Sequence, residues 1–196
     1  MWAPDGQSFV TGCLDTERNL CQWNLNGELI YDWGQNHRIQ DLAISPDGSR
    51  LVAMENVDHV YVYNFATREL EYEINLKVKL VSVAVSQNSQ HLLVNKNDGE
   101  SRMFDLDSRE TVRIFSRGDR QAKYIIRATF GGANESFVIT GSEGMFKKCL
   151  IKAYDVTDAS AQMATSISGT RITEPLSKDS MATTTRGAAI PYRGTQ

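Results

Sequence analysis

Residues 45–52 read Ser-Pro-Asp-Gly-Ser-Arg-Leu-Val, a tight turn followed by the start of an apolar strand. In such a turn proline fixes φ, the aspartate side chain bonds back to its own backbone, and glycine takes positive φ. The same pattern occurs at residues 3–10 (APDGQSFV) and, in weaker forms, at residues 86–93 (SQNSQHLL) and 131–138 (GGANESFV). The chain therefore contains an internal repeat of about forty residues.

Each repeat contains four short runs of the kind that forms strands. In the second repeat, β-branched and aromatic residues fill residues 42–44 before the turn, then 51–54, 60–63 and 70–74 after it. The third run of each repeat ends on an aromatic residue and a polar turn former, namely Trp23-Asn24, Tyr63-Asn64 and Phe104-Asp105. Four strands per repeat of about forty residues predict the blades of a β-propeller, and a β-sandwich would not show this phased repetition.

The Ser-Pro-Asp-Gly turn and the aromatic-plus-Asn/Asp pairs resemble those of WD40-repeat proteins. A narrower resemblance is to the WD40 subunit of the GID/CTLH ubiquitin-ligase complex, in the C-terminal half of its propeller. It runs over about residues 1–144. The motifs that carry it are residues 2–6 (WAPDG), 11–12 (TG), 25–27 (LNG), 61–65 (YVYNF), 93–95 (LVN), 130–132 (FGG) and 141–143 (GSE).

This resemblance implies a non-catalytic protein-interaction scaffold in the cytoplasm or nucleus. Its partners would be ligase subunits or substrates, and members of that subfamily also carry an N-terminal LisH/CTLH region for assembly. A scaffold of an unrelated WD40 complex and a non-functional truncated product are the alternatives. The chain departs from the general WD40 pattern, because no Gly-His precedes a blade and His37 lies too close to Ser45 to replace it. The family's His-Asp-Ser-Trp hydrogen-bond network is therefore not assumed.

Charge and composition argue against other classes of function. The chain has 196 residues, a net charge of -3 and no dominant basic patch, which disfavours nucleic acid or an anionic membrane as a partner. The three histidines and three cysteines show no metal-ligand spacing. We therefore expect no enzyme, no metal, no cofactor and no small-molecule substrate. The sparse, odd number of cysteines is typical of a reducing compartment.

The expected fold is all-β, an incomplete WD40 β-propeller with two full four-stranded blades flanked by two partial blades. The partial propeller spans residues 1–144 and an irregular tail spans residues 145–196. The first blade begins at the end of its innermost strand. The last keeps strands at residues 125–130 and 137–140 and then loses its two outer strands.

We interpret the tail as a retained intron followed by frame-shifted coding sequence. Gly144-Met145-Phe146 can be encoded GGT-ATG-TTT, which contains the donor-like sequence GTATGT. Thr157-Asp158 can contain the branch-like CTGAC, and Ala161-Gln162 can end in CAG. Removing the intervening bases shifts the frame, so that Met163 onward can read DGNIYIW. Residues 141–143 then continue as GSEDGNIYIW, which is the third strand of a WD40 blade.

Propellers usually bind partners through the loops between blades and the mouth of the central channel, although such loops can also be solvated surface with no binding role. Here those loops include residues 36–38 and 120–124. Because arginine and tyrosine are frequent interface anchors, the candidate partner-binding residues are His37, Arg38, Lys123 and Tyr124. The repeated aromatics that end the third strands are in phase, which is typical of blade core and not of ligand contacts.

Overall fold

The computed structural model describes residues 1–14, 19–34, 37–55, 57–116, 125–141 and, as backbone, 149–152. These residues lie in one compact unit, Met1–Asp155, and residues 156–196 are outside the described part. The strands are β1 Ser8–Gly12, β2 Leu20–Asn24, β3 Leu29–Asp32, β4 Ile39–Ile44, β5 Arg50–Glu55, β6 His59–Asn64, β7 Leu70–Asn75, β8 Leu80–Val85, β9 His91–Lys96, β10 Glu100–Asp105, β11 Thr111–Ser116, β12 Ala128–Gly131, β13 Phe137–Thr140 and β14 Cys149–Lys152. A short 3-10 helix spans Ala133–Glu135.

The strands form four antiparallel sheets, which we call blades 1 to 4. Blade 1 contains β1–β3, blade 2 contains β4–β7, blade 3 contains β8–β11 and blade 4 contains β12–β14. Neighbouring strands in the sequence pair with each other, so each blade is a simple meander. Two complete four-stranded blades flanked by two partial ones confirm the predicted fold. In blade 1 a single bridge between Trp2 and Phe9 stands in place of an innermost strand.

Blade 4 differs in two respects from the expectation. Its first strand begins at Ala128 and not at Ile125, whose side chain is 69% exposed. A third strand, β14, pairs antiparallel with β13, with Thr140 opposite Cys149 and Phe137 opposite Lys152. The sequence predicted that blade 4 loses both of its outer strands and that the chain is irregular from residue 145 onward. The structure contains the first of these two strands, β14, so this part of the prediction was wrong. The edge of β13 offers unpaired backbone N–H and C=O groups, and the short, mostly apolar segment at residues 149–152 pairs with them.

The core lies between the blades because successive strand residues face opposite sides of each sheet. In β5, Val52 and Met54 pack toward blade 3, whereas Leu51 and Ala53 pack toward blade 1. All four are 0% exposed. Burial of a residue of the size of valine or leucine stabilises a fold by about 1.5–3 kcal/mol, so the contacts between blades dominate the stability of this chain. Blade 3 packs against blade 4 through a third cluster that includes Met103 and Phe130.

Polar side chains join the innermost strands of neighbouring blades. Asp41 of β4 accepts a hydrogen bond from the backbone N–H of Val83 in β8 at 3.0 Å. Ser82 occupies the equivalent position of β8, and its hydroxyl accepts the N–H of Ala128 at 3.2 Å. Arg127 also forms an ion pair with Asp41. These contacts link the first strands of blades 2, 3 and 4 in the order of the sequence.

The polar residue that ends each third strand forms the turn that follows it. The Asn64 side chain accepts the backbone N–H groups of Ala66 and Thr67, and the Asp105 side chain accepts those of Asp107 and Ser108. Four backbone donors of the turns are satisfied in this way, which explains the recurrence of Asn or Asp after the aromatic residue.

No helix in the described part of the chain is long and apolar enough to cross a membrane.

Candidate protein-interaction surface

The antiparallel order of the strands places two kinds of loop at one end of the blades. Joining loops connect the last strand of one blade to the first strand of the next, and their described residues are 33–34, 37–38, 76–79 and 125–127. Loops between the second and third strands, whose described residues include 57–58 and 97–99, lie at the same end. We call this end the loop end. The Ser-Pro-Asp-Gly turns and the turns after the third strands lie at the opposite end, which we call the turn end.

A stack of aromatic rings organises the loop end of blade 2. The ring of Tyr61, in β6, lies 4.1 Å from the ring of His37, centroid to centroid, with 26° between their planes. On the same strand, His59 stacks with Tyr61 at 6.0 Å and 10°. Tyr61 is 5% exposed, and its hydroxyl donates to Glu55 at 3.1 Å. The stack therefore anchors the joining loop between blades 1 and 2 onto blade 2.

Burial and the adjacent negative charge of Glu55 raise the pKa of Tyr61 well above its ordinary value. The phenol consequently stays protonated across the physiological range and remains a hydrogen-bond donor. Tyr61 therefore donates to Glu55 while its ring supports His37.

A hydrogen-bond chain links the two loops of blade 2 at this end. Asp58 lies 2.6 Å from Nδ1 of His59, and Nε2 of the same ring lies 2.8 Å from the amide nitrogen of Asn75. The carboxylate can only accept, so Nδ1 donates to Asp58 and Nε2 accepts from Asn75. The oxygen of Asn75 in turn accepts the backbone N–H of Lys77 at 2.9 Å. The conformation of the loop at residues 76–79 is therefore tied to residues 57–58 of the neighbouring loop.

The structure places the predicted binding residues unequally. His37 is half-buried against Tyr61, whereas Arg38 is exposed at the loop end. Lys123 and Tyr124 lie outside the described residues. Sequence reasoning missed Tyr61 and His59, because residues within a strand were assigned to the blade core. Their position in the repeat could have identified them, because both residues lie at the start of a third strand, next to the loop end.

The aromatic residues that recur at the end of each third strand differ in their exposure from blade to blade. Tyr63 and Phe104 are 1% and 5% exposed, as expected for blade core, whereas Trp23 is half-buried. The indole N–H of Trp23 donates to the hydroxyl of Thr11 at 2.9 Å. The residues of blades 2 and 3 that correspond to Thr11 are Ala53 and Val94, which have no hydroxyl. The Trp–Thr part of the WD40 hydrogen-bond network is therefore confined to blade 1 among these three blades.

The described aromatic and carboxylate side chains of the loop end contact one another. Within the described ranges, no group of three or more His, Cys, Asp or Glu side chains could hold a metal ion. Both His37 and His59 are committed to stacking contacts, and the histidine–carboxylate pair of blade 2 contacts an amide and no nucleophile. The loop end thus combines loops held by side-chain contacts with exposed side chains such as Arg38.

Comparison with known proteins gives relatives of one kind, although no family model matches the chain. The chain is 34% identical over 149 residues to GID complex subunit 7 of Schizosaccharomyces pombe, an alignment that covers 72% of the chain and 29% of that relative. It is 31% identical over 144 residues to the WD repeat-containing protein WDS homolog of Arabidopsis thaliana, covering 72% and 27%. The chain thus spans less than a third of the length of these relatives.

Solved structures with a similar fold include one of WD40 repeats. The structure of U3-55K superposes with a TM-score of 0.57 at 14% identity and covers 71% of the chain and 46% of the U3-55K chain. A crystal structure of RRP9 WD40 repeats superposes with a TM-score of 0.56 at 15% identity, with the same coverage. At such identities the likeness concerns the fold alone. The chain therefore has the fold of an incomplete WD40 β-propeller and resembles in sequence the WD40 subunit of the GID complex.

Proposed function

We propose that the chain is a non-catalytic protein-interaction scaffold that serves assembly or substrate recruitment in a GID/CTLH-type E3 ubiquitin ligase, in the cytoplasm or nucleus. The observation that carries this proposal is the 34% identity to GID complex subunit 7 over 72% of the chain. A propeller fold alone does not select a function, so the proposal depends on this sequence similarity and not on the fold.

The form of the loop end supports a binding role. Protein interfaces are enriched in aromatic and arginine side chains, and binding through loops that are already ordered costs less conformational entropy. The aromatic stack of blade 2 and its hydrogen-bond chain fix two loops of the chain, and Arg38 projects from the first of them.

The test is a pull-down with the full chain immobilised at low density and purified CTLH-type ligase subunits offered in solution. We expect the chain to retain at least one subunit, and we expect the double variant Arg38→Ala/His37→Ala to retain less of it. The matched control is Gln7→Ala, an exposed position at the turn end. Arg38→Ala and Gln7→Ala are surface changes that leave the buried clusters between blades intact, whereas His37→Ala also removes the stacking contact with Tyr61.

Failure of every CTLH-type subunit to bind would reject the assignment to this ligase. Retention of subunits of an unrelated WD40-containing complex would instead support the alternative of a scaffold of another kind. Turnover of a substrate by the purified chain would contradict the non-catalytic assignment.

A further inference from the structure

We propose that the loop end of blade 2 binds an acidic, extended protein segment, with carboxylates pairing with Lys77 and Lys79 and one apolar side chain resting against Val57. The inference deepens the proposed scaffold function, on which it rests, by naming the chemistry of the partner segment.

The first observation is a cavity at this end of blade 2. It measures about 260 Å³ and is lined by Val57, Asp58, Lys77, Val78 and Lys79. Its volume lies below the roughly 300–1,000 Å³ of sites that enclose small molecules. It therefore suits a single side chain of a larger partner. Val57 is apolar and 57% exposed, which supplies the contact for such a side chain.

The second observation is the charge of the cavity walls. Lys77 and Lys79 are exposed, and neither ammonium group has an ion-pair partner in the described part of the chain. The one acidic wall residue, Asp58, faces the imidazole of His59 at 2.6 Å. The cavity therefore presents two lysine ammonium groups without ion-pair partners among the described residues and one carboxylate held by His59, which leaves a net positive charge beside an apolar contact.

The third observation is the contrast in charge between the joining loops and the turn end of the blades. In the described residues of the joining loops, the charged side chains are all basic, namely Arg38, Lys77, Lys79 and Arg127. The turn end is mainly acidic, with Asp5, Glu28, Asp47, Glu69, Asp107, Glu110 and Glu135. Two arginines at the turn end, Arg68 and Arg109, are stacked on tyrosine rings. An acidic partner is therefore attracted to the joining loops and repelled by the opposite end.

The loop that carries both lysines is held in place before any partner binds. Lys77 adopts a φ of 53°, and the side chain of Asn75 holds its backbone N–H. Asn75 is itself fixed by His59. Because the loop is already ordered, binding does not incur the conformational entropy of ordering it.

A protein segment fits this surface better than a nucleic acid. Acidic residues of the neighbouring loops between second and third strands, Asp58 and Asp98, lie at the same end and would repel a continuous phosphate backbone. Separate carboxylates on an extended peptide can pair with the lysines and avoid those acids.

The test measures binding of fluorescent peptides to the full immobilised chain. One peptide carries Asp and Glu around a single leucine, and its counterpart has Asn and Gln at the same positions. A single-stranded oligonucleotide of equal charge is the third probe. We expect the acidic peptide to bind, its amide counterpart to bind at least threefold more weakly, and the affinity to fall with added salt.

Variants locate the site. We expect Lys77→Gln/Lys79→Gln to weaken binding of the acidic peptide roughly three- to thirtyfold, the range for two partly exposed ion pairs. Lys77→Arg/Lys79→Arg keeps the charge and should retain most of the affinity. The single change Lys79→Gln is compared with Arg113→Gln, which removes the same charge from β11, and only the former should weaken binding.

The proposal is overturned if both peptides bind equally, if Arg113→Gln weakens binding as much as Lys79→Gln, or if the oligonucleotide binds more tightly than the peptide. If the Lys77→Gln/Lys79→Gln variant retains CTLH-type subunits as well as the wild type does, the scaffold does not use this site, and the proposed function still holds. Binding of the acidic peptide without any such subunit would reject the proposed function and retain the site.

Discussion

At the scale of single residues, the turn former Asp47 connects two blades. Its side chain accepts the backbone N–H of Ser49 at 2.9 Å and the hydroxyl of Ser49 at 2.8 Å. Its backbone N–H donates to the hydroxyl of Ser89 in the corresponding turn of blade 3 at 3.1 Å. The repeated turn thus has a role beyond local geometry, because it contacts its own counterpart in the next blade.

Asp47 predicts an acid-sensitive contribution to stability. Hydrogen bonds from Ser45, and further ones from Ser49 and Ser89, lower the pKa of Asp47 from 3.8 to about 2. A pKa lowered by folding gives stability that is fully present above the unfolded value and lost as the pH falls through the folded value. We expect the difference in urea midpoint between the wild type and Asp47→Asn to shrink as the pH is lowered from about 4 to about 2. A difference that stays constant over this range would contradict this role for the charge.

The residues of the loop end show what a single sequence could and could not predict. His37 and Arg38 were accessible to prediction, because the repeat defines where the joining loops lie. The stacking of His37 on Tyr61 could not be predicted from the sequence. It joins a loop that precedes blade 2 to a strand within that blade, and it depends on the angle between blades. The basic character of the joining loops is visible in the sequence only after the strands have been assigned to the two ends.

At the scale of elements, the fourth strands are fastened to the following blade by a repeated contact. Arg68 lies 4.6 Å from the ring centroid of Tyr31, and Arg109 lies 4.5 Å from that of Tyr72. Each arginine belongs to the turn of one blade and each tyrosine to the outermost strand of the preceding blade. Both arginines have positive φ, of 66° and 65°. The hydroxyl of Tyr72 additionally donates to the carbonyl of Leu106 at 2.9 Å.

This pair of tyrosines gives a matched test of the contact between blades. Burial raises the pKa of Tyr72 to about 12, so its hydroxyl is a donor at neutral pH. We expect Tyr72→Phe to lower the free energy of unfolding by about 1 kcal/mol, because the carbonyl of Leu106 loses its partner. Tyr31→Phe is the control, since no hydrogen bond of the Tyr31 hydroxyl occurs among the described residues. Equal losses in urea denaturation would show that the hydroxyl bond is not the cause.

The elements themselves were predicted well where the repeat is regular. In blade 2, period-two alternation and turn residues agree, and the predicted strands match the observed ones within one residue at every end except the start of β4, which lies three residues earlier. Blade 4 was predicted less well. Ile125 and Ile126 were assigned to a strand on composition, yet the amide of Asn95 binds the carbonyl of Ile126, and pairing begins only at Ala128. The strand at Cys149–Lys152 lies within the segment that the intron hypothesis assigns to non-coding sequence, and that hypothesis remains a prediction.

At the scale of the whole molecule, the blades differ in how many of their faces are covered. Blades 2 and 3 each pack against a blade on both sides, whereas the described parts of blades 1 and 4 pack on one side only. Trp2 and Leu29 on the open face of blade 1 are 61% and 42% exposed, and Ile139 on the open face of blade 4 is 41% exposed. Because the contacts between blades supply most of the buried apolar surface, stability should decrease from the two central blades toward both ends.

Hydrogen exchange of the full chain, resolved along the sequence by mass spectrometry, tests this account of the fold most directly. We predict the slowest exchange in the middle strands of the complete blades, β5, β6, β9 and β10, with faster exchange in β1–β3 and fastest in β12–β14. Exchange in blade 1 or blade 4 that is as slow as in blades 2 and 3 would contradict a propeller with two complete central blades and two open ends.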